Sequence, residues 1–384
     1  MQFQFKDSKN GEIQNLRAVA ILYTIAEHTG ILHFELIQYF HKYFSFWTGV
    51  DLFFVISGYL ITQSIAKLLG EINSAHIKKT LWEFWIKRSF RIFPAAWTWI
   101  ILFLIFSLVS NLFFKSKIFS SLPISLNDST AAFLNYANFY WAKCWGEQLL
   151  GISCGSPALL GHYWSLSLEE QFYVVLPIFL IICRKKTVVL LLLFACVAYL
   201  STQVRWPMSF AWFSRIDGLL CGVIMALINF KPVAISNTLT TVGKFLAPVL
   251  LASLLLVGEF IPVLFKAKIG IELPTYTILA IISAILVWLA TLERKIVFFP
   301  GILRLPMHWI GEKSYALYLC HLPCFGLTKV IFTNIFGDAT TNTSIVGLIV
   351  LAISISFLAA EATYRFIESP CRNYGRILAQ KNIE

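Results

Sequence analysis

Charge is what this sequence has least of. Asp, Glu, Lys and Arg make up 13% of its 384 residues, about half the share of an ordinary soluble domain. Against 58% hydrophobic residues, that scarcity excludes a large soluble core and leaves an integral protein of the lipid bilayer. Acidic residues are the scarcer sign, 20 against 31 basic ones. In a soluble chain the net charge of +11 would suggest nucleic acid. Here cytoplasmic loops rich in Lys and Arg account for it, so no nucleic-acid partner is expected. The chain shows no internal repeat, no Pro-rich or low-complexity tract, and no hydrophilic stretch long enough for a second domain. Its polar first residues run straight into a full spanning segment, unlike the short apolar core of a cleavable leader. The expectation is one membrane domain, residues 12–372, with a short cytoplasmic tail, 373–384.

What is present is a series of apolar segments, near 14–32, 43–66, 90–112, 164–183, 187–203, 210–230, 239–258, 272–292, 309–328 and 343–367. They predict an all-α, polytopic protein of about ten transmembrane helices. The fifth is short, and Arg215 and Asp217 interrupt the sixth. Placing both termini in the cytoplasm puts more than twice as many Lys and Arg inside as outside, which sets the orientation. The 67–91 loop, with Lys78, Lys79, Lys87, Arg88 and Arg91, is then cytoplasmic. The longest connection, 113–163, is exoplasmic and carries Phe139, Tyr140, Trp141 and Trp145. A connection of that length is more often functional than idle.

Six of the eight cysteines fall in or beside apolar segments, where a thiol acts as a small buried hydrophobe. Cys144 and Cys154 instead share the exoplasmic loop, a compartment where a disulfide would persist. Cys320, His321 and Cys324 have the residue types of a metal site but not four spaced ligands, and no metal is assigned.

The chemistry centres on RAVAILYTIAEH, Arg17 to His28. Eleven positions return the chain to nearly the same helix face, about 16 Å further along. Arg17 then lies near one interface and His28 deep on the same stripe. An ionisable residue in a spanning helix is a functional candidate, the bland alternative being a histidine satisfied by packing. Arg88 and Arg91, three apart, share a face. They suit phosphate recognition, since a guanidinium forks onto phosphate oxygens, or are simple anchors of the positive-inside pattern. Pro94 fits either the first turn of the next span or a kink within it. Asp51 opens the second span and could pair with a cation, and Ser57–Gly58 below it lets helices approach closely. Glu169 and Glu170 are placed at the exoplasmic start of the fourth span, where the helix dipole also favours acids. Arg215 and Asp217, two apart, do not share a face and are not paired, whereas Glu361 and Arg365, four apart, could be. For His321 beside Pro323, packing and function are equally compatible with the sequence.

The order Arg17-x10-His28, FFVISGYLIT, Arg88-x2-Arg91-I-x-P, HYWSLSLEEQFY, RIDGLLCG, GEKSYALYLCHLP, RFIESPCR resembles the acyltransferase-3 family of membrane O-acyltransferases, from about residue 12 to 372. The resemblance implies transfer of an acyl group, commonly acetyl, from cytoplasmic acyl-CoA to a hydroxyl of a surface glycan or lipid-linked saccharide. Acetylases of polysaccharide and of lipopolysaccharide O-antigen in the bacterial inner membrane are of this kind. Acetyl-CoA enters as a substrate, and no bound cofactor is implied. Carried over by motif, the essential histidine falls on His28 and the first-helix arginine on Arg17. The paired arginines fall on Arg88 and Arg91, the WSLSxE glutamate on Glu169, and the last motif on Glu368 and Arg372. The chain stops at Glu384, so it resembles the members without a fused hydrolase-like domain, which hand acyl groups to the acceptor or to a separate partner. The 113–163 loop matches poorly.

That reading assigns His28 as general base toward the acceptor hydroxyl, or as the site of an acyl-histidine intermediate. Arg17, Arg88 and Arg91 are expected to bind acyl-CoA. Glu169, Tyr173, Asp51, His321 and Glu368 are expected to bind the acceptor or support the site, together with the exoplasmic aromatics. A transporter is the competing class, but paired, interrupted segments in two repeated halves are not seen.

Overall fold

The structure, a computed structural model, describes residues 10–116, 118–147, 154–203, 205, 208–228, 237–258, 260–269 and 273–381. Lys6, Lys9, Lys117 and Lys231, which enter the charge argument, lie outside these, as do residues 229–230 of the sixth predicted span and the end of the tail. All regular structure among the described residues is helical. In lipid every backbone group must be satisfied within the segment, which a helix achieves and a single strand does not.

Ten helices follow the predicted spans: α1 Gly11–His28, α2 Gly49–Ile65, α3 Ser74–Val109, α4 Tyr163–Cys183, α5 Lys186–Ser201, α6 Asp217–Ile228, α7 Asn237–Val257, α8 Thr275–Thr291, α9 Ser314–Phe336 and α10 Asn342–Thr363. Among the described residues seven spanning units are long and apolar enough to cross a membrane: α2, α3, α4, α7, α9 and α10, several with their flanking turns, and α6 with its preceding turn from Phe210. α5 and α8 are shorter apolar helices, and α1, which carries Glu12, Arg17 and Glu27 in its 18 residues, falls in neither group. The chain is thus a polytopic, all-α membrane protein.

The 67–91 region differs from its reading as a loop. α3 is one helix of 36 residues with Pro94 inside it. At 1.5 Å per residue it reaches about 54 Å, well beyond the bilayer core, so its first turns carry Lys87, Arg88 and Arg91 as a rigid extension on the terminal side. The C-terminal segment is likewise built in. α10 passes through a π turn, Tyr364–Glu368, into a helix, Ser369–Lys381, whose Gly375 lies against the Phe90 ring of α3.

Close approach of α2 and α6 forms the centre of the bundle. A Cβ on Gly58 would collide with the Leu219 carbonyl, and one on Gly222 with that of Val55, so only glycine permits this spacing. Buried charges follow a crossed pattern: Arg215 pairs with Asp51 at 3.1 Å, and Asp217 with Arg205 at 2.5 Å. Arg365 meets Glu361 at 2.8 Å, and Lys313 reaches the same carboxylate at 3.2 Å. At the end of the N-terminus, the Glu12 carboxylate accepts from the backbone N–H groups of Lys295, Ile296 and Val297.

The long connection folds over the opposite end. Helices Leu122–Phe133 and Ala137–Trp141 are tied to the following strand of chain by a Cys144–Cys154 disulfide. Asp128 is buried beneath them, accepting from Tyr140 Oη at 2.7 Å and from the Gly155 N–H at 3.2 Å. Burial raises its carboxyl to about 6 against those two donors.

Candidate active site

Two cavities enter the bundle from its two ends. The one at the end of Arg17 is narrow, about 90 Å³, and is lined by Arg17 of α1, Ser57 of α2, Arg88 and Arg91 of α3, Glu169, Glu170 and Tyr173 of α4, and Ser314 and Tyr318 of α9. Arg17 Nε donates to Ser314 Oγ at 3.1 Å. The Arg88 guanidinium lies 5.7 Å from the Tyr173 ring centre. Glu169 accepts from Tyr173 Oη at 2.6 Å and from Ser57 Oγ at 3.0 Å.

Sequence reasoning set Glu169 and Tyr173 at the exoplasmic mouth with the acceptor; the structure places both among the arginines. α4 starts at Tyr163, so Glu169 is already about 9 Å down the helix, where Tyr173 and Ser57 donate to its carboxylate and Arg17 and Arg88 line the same cavity. Glu368 also sits on this side, buried, with Arg372 Nη1 3.9 Å away.

Beside this cavity and sharing Arg88 and Arg91 is a second opening of about 200 Å³, lined also by Lys67, Lys87, Arg372 and Arg376. Glu83 is the one acid on its wall and pairs with Lys87 at 3.3 Å. Six cations around one hollow make an anion site of high charge density. Arg376 was not singled out from sequence, although Arg372 and Arg376 lie four apart, on one face of the last helix.

The opposite cavity, expected from loop charge to be the outer one, is larger, about 870 Å³, and lies under the cap formed by the long connection. His28, at the C-terminal end of α1, opens onto it. His28 Nδ1 is 2.9 Å from His321 Nε2, and His321 Nδ1 is 3.0 Å from the Leu317 carbonyl. A carbonyl only accepts, so His321 carries its proton on Nδ1 and its lone pair on Nε2. His28 Nδ1–H therefore donates to it, which leaves the lone pair of His28 on Nε2. Two neutral rings in series thus fix which nitrogen of His28 is basic.

Asp51 does not reach the cavity as an acceptor ligand; it neutralises Arg215, one wall of the cavity. That guanidinium is stacked by Trp212 at 4.2 Å, Trp164 at 4.6 Å, Trp47 at 5.2 Å and Tyr276 at 5.5 Å. The result is an aromatic wall held rigid by a buried cation. Of the exoplasmic aromatics read from sequence, Trp145 lines the cavity and Trp141 packs behind it at 4.7 Å. Trp47, Trp164 and Trp212 were not anticipated. They come from three separate segments, and only folding joins them.

Val50 and Tyr318 line both cavities. Tyr318 Oη donates to the His162 carbonyl at 3.0 Å and lies 2.5 Å from Ser165 Oγ. The two chambers therefore share a septum of about one side chain's thickness. Arg17 and His28, on one helix face, stand on opposite sides of it.

Comparison with known proteins gives the chain's family and relatives. A family model described as an acyltransferase domain, of the acyltransferase-3 group, matches residues 10–361. A peptidoglycan O-acetyltransferase of Listeria monocytogenes is 29% identical over 95% of this chain and 56% of its own length. A Bacillus subtilis protein provisionally named a peptidoglycan O-acetyltransferase is 26% identical over 94% of this chain and 55% of its own. A provisionally named O-acetyltransferase of Staphylococcus aureus is 27% identical over 94% and 57%. The chain spans just over half the length of these curated relatives. No solved structure matches it significantly.

Proposed function

Because the chain belongs to the acyltransferase-3 family, we propose that it is a multi-pass membrane O-acyltransferase of the bacterial cytoplasmic membrane. It carries acetyl from cytoplasmic acetyl-CoA to a hydroxyl of a saccharide on the outer side. The observation that carries this reading is the pair of chambers meeting at Tyr318, one cationic, the other ending on the basic nitrogen of His28.

The phosphates of the donor suit the hollow formed by Lys67, Lys87, Arg88, Arg91, Arg372 and Arg376. The thioester arm then lies in the narrow cavity past Arg17 and reaches the septum. On the other side the acceptor lies against Trp47, Trp164, Trp212 and Trp145, whose rings offer flat apolar faces to a sugar. His28 Nε2 takes the proton of the acceptor hydroxyl as its oxygen attacks the thioester carbon. Collapse of the tetrahedral intermediate expels the CoA thiolate, which takes that proton, and leaves the acetyl ester. Glu169, bonded to Tyr173 and Ser57, and Glu368, beside Arg372, balance the charge of the nearby arginines, and His321 holds the ring of His28. Since two of these relatives are named for peptidoglycan, cell-wall glycan is the first acceptor to test.

The test is the ester-linked acetyl content of surface glycans from cells producing the protein or His28→Ala at matched membrane levels, released by mild alkali and weighed by mass spectrometry. The native chain should add an alkali-labile acetyl and His28→Ala should lose at least about 100-fold of it. Equal acetylation by both would refute the assignment of His28.

A further inference from the structure

His162 is a buried histidine whose ring packs against its neighbours while its nitrogens stay unbonded. It is 2% exposed and lies on the wall of the outer cavity. Neither ring nitrogen has a partner in hydrogen-bond geometry, the Leu319 carbonyl coming close without achieving it. A buried polar group left unpaired is costly, so the resting site bears a cost that a ligand would relieve. The backbone around it is pinned: Tyr318 Oη donates to the His162 carbonyl at 3.0 Å, and Ser165 Oγ, which lies 3.2 Å from that carbonyl, bonds to the Tyr318 hydroxyl. The imidazole is therefore fixed at the septum. Its centre is 5.3 Å from the Tyr318 ring and 5.2 Å from His321, whose other neighbour, His28, is 5.0 Å away.

We propose that His162 is a further catalytic residue, the hydrogen-bond donor to the thioester carbonyl oxygen as that oxygen becomes an anion. This rests on the acyl-transfer reading above. The thioester emerging past Tyr318 from one chamber and the hydroxyl held at His28 in the other must meet beside this ring. As the acceptor oxygen bonds to the carbonyl carbon and His28 takes its proton, the C=O electron pair moves onto oxygen. The N–H of neutral His162 points a donor at that charge and gives up no proton. When the carbonyl re-forms, the C–S pair leaves with the thiolate, which is protonated from His28. His162 is suited to this and not to a base's task. His321 and Leu317 fix the tautomer of His28, whereas nothing in bonding geometry fixes that of His162, so the nitrogen facing the oxygen is free to carry the hydrogen.

The experiment uses the full chain in proteoliposomes with acetyl-CoA as donor and peptidoglycan oligosaccharides as acceptor, comparing His162→Leu, His162→Gln and His28→Ala. Both His162 substitutions fill the site, but only glutamine donates. His162→Leu should lower kcat about 100- to 1,000-fold with the acetyl-CoA KM within about threefold of native, and His162→Gln should recover to within about tenfold of native. A leucine variant within about threefold of native, or leucine and glutamine variants impaired alike with a raised donor KM, would overturn the assignment. An inactive native protein would overturn the acyl-CoA reading beneath it as well. A native protein and His28→Ala of equal activity would place the failure in the mechanism and not in the donor.

Discussion

His28 and His321 show how a side chain acquires a role from its neighbour. Removing His321 takes from the Nδ1–H of His28 its side-chain acceptor and the ring packed against it, which leaves the imidazole freer to turn. His321→Ala should lower kcat about 100-fold or more with little change in acetyl-CoA KM, read in steady-state kinetics. Asp128 gives a second prediction at this scale, outside the membrane. Its folded carboxyl titrates at about 6, above the usual 3.8, because burial opposes its charge. The neutral form is therefore the one the fold favours. The resulting stability of the cap is fully present below about pH 4 and is lost as pH rises through 6, on the order of 2–3 kcal/mol. Hydrogen exchange in the Leu122–Phe133 helix should speed up, beyond the intrinsic rate, between pH 4 and 7 in the native protein. Asp128→Asn should abolish that extra step. Single residues were partly legible in the sequence. Arg17, Arg88, Arg91 and His28 carried spacing and charge in an apolar setting. His162 stood in the quoted HYWSLSLEEQFY run, yet nothing in one dimension shows that a histidine has lost its partners.

At the level of helices, the apolar runs made the spans readable, because lipid demands a continuous helix wherever it demands apolarity. Two elements were not readable for the converse reason. The first turns of α3 and the last helix lie beyond the bilayer, and polar residues there are equally compatible with a loop. Glu169 was misplaced by the same ambiguity. An acid near a helix start reads as a capping charge, and only the start of α4 at Tyr163 shows it to be deep. Gly58 could be read as a packing glycine, and its partner, Gly222, follows from the crossing of α2 and α6. Gly58→Leu should wedge these helices apart at a cost of about 1–3 kcal/mol. It should lower the thermal midpoint in detergent, while Gly11→Leu, whose Cβ would meet nothing, should leave it unchanged.

For the molecule as a whole, the septum at Val50 and Tyr318 has an electrical consequence. On the proposed reading coenzyme A would stay on one side and the saccharide on the other, so that only an acetyl group passes outward. The proton lost by the acceptor hydroxyl would pass inward by way of His28 and end on the thiol. The group that leaves is formally an acylium, with one positive charge, and the proton that returns carries the same. Each turnover is then an electroneutral exchange. Moving one uncompensated charge through 100 mV would be worth about 2.3 kcal/mol, close to a fiftyfold change in equilibrium. A potassium diffusion potential of either sign, set with valinomycin across proteoliposomes, should therefore leave the initial rate of acetyl transfer unchanged. A several-fold response would mean that the proton does not cross with the reaction. The protein would be an enzyme whose reactants lie on opposite sides of a membrane, yet whose turnover draws nothing from the voltage across it.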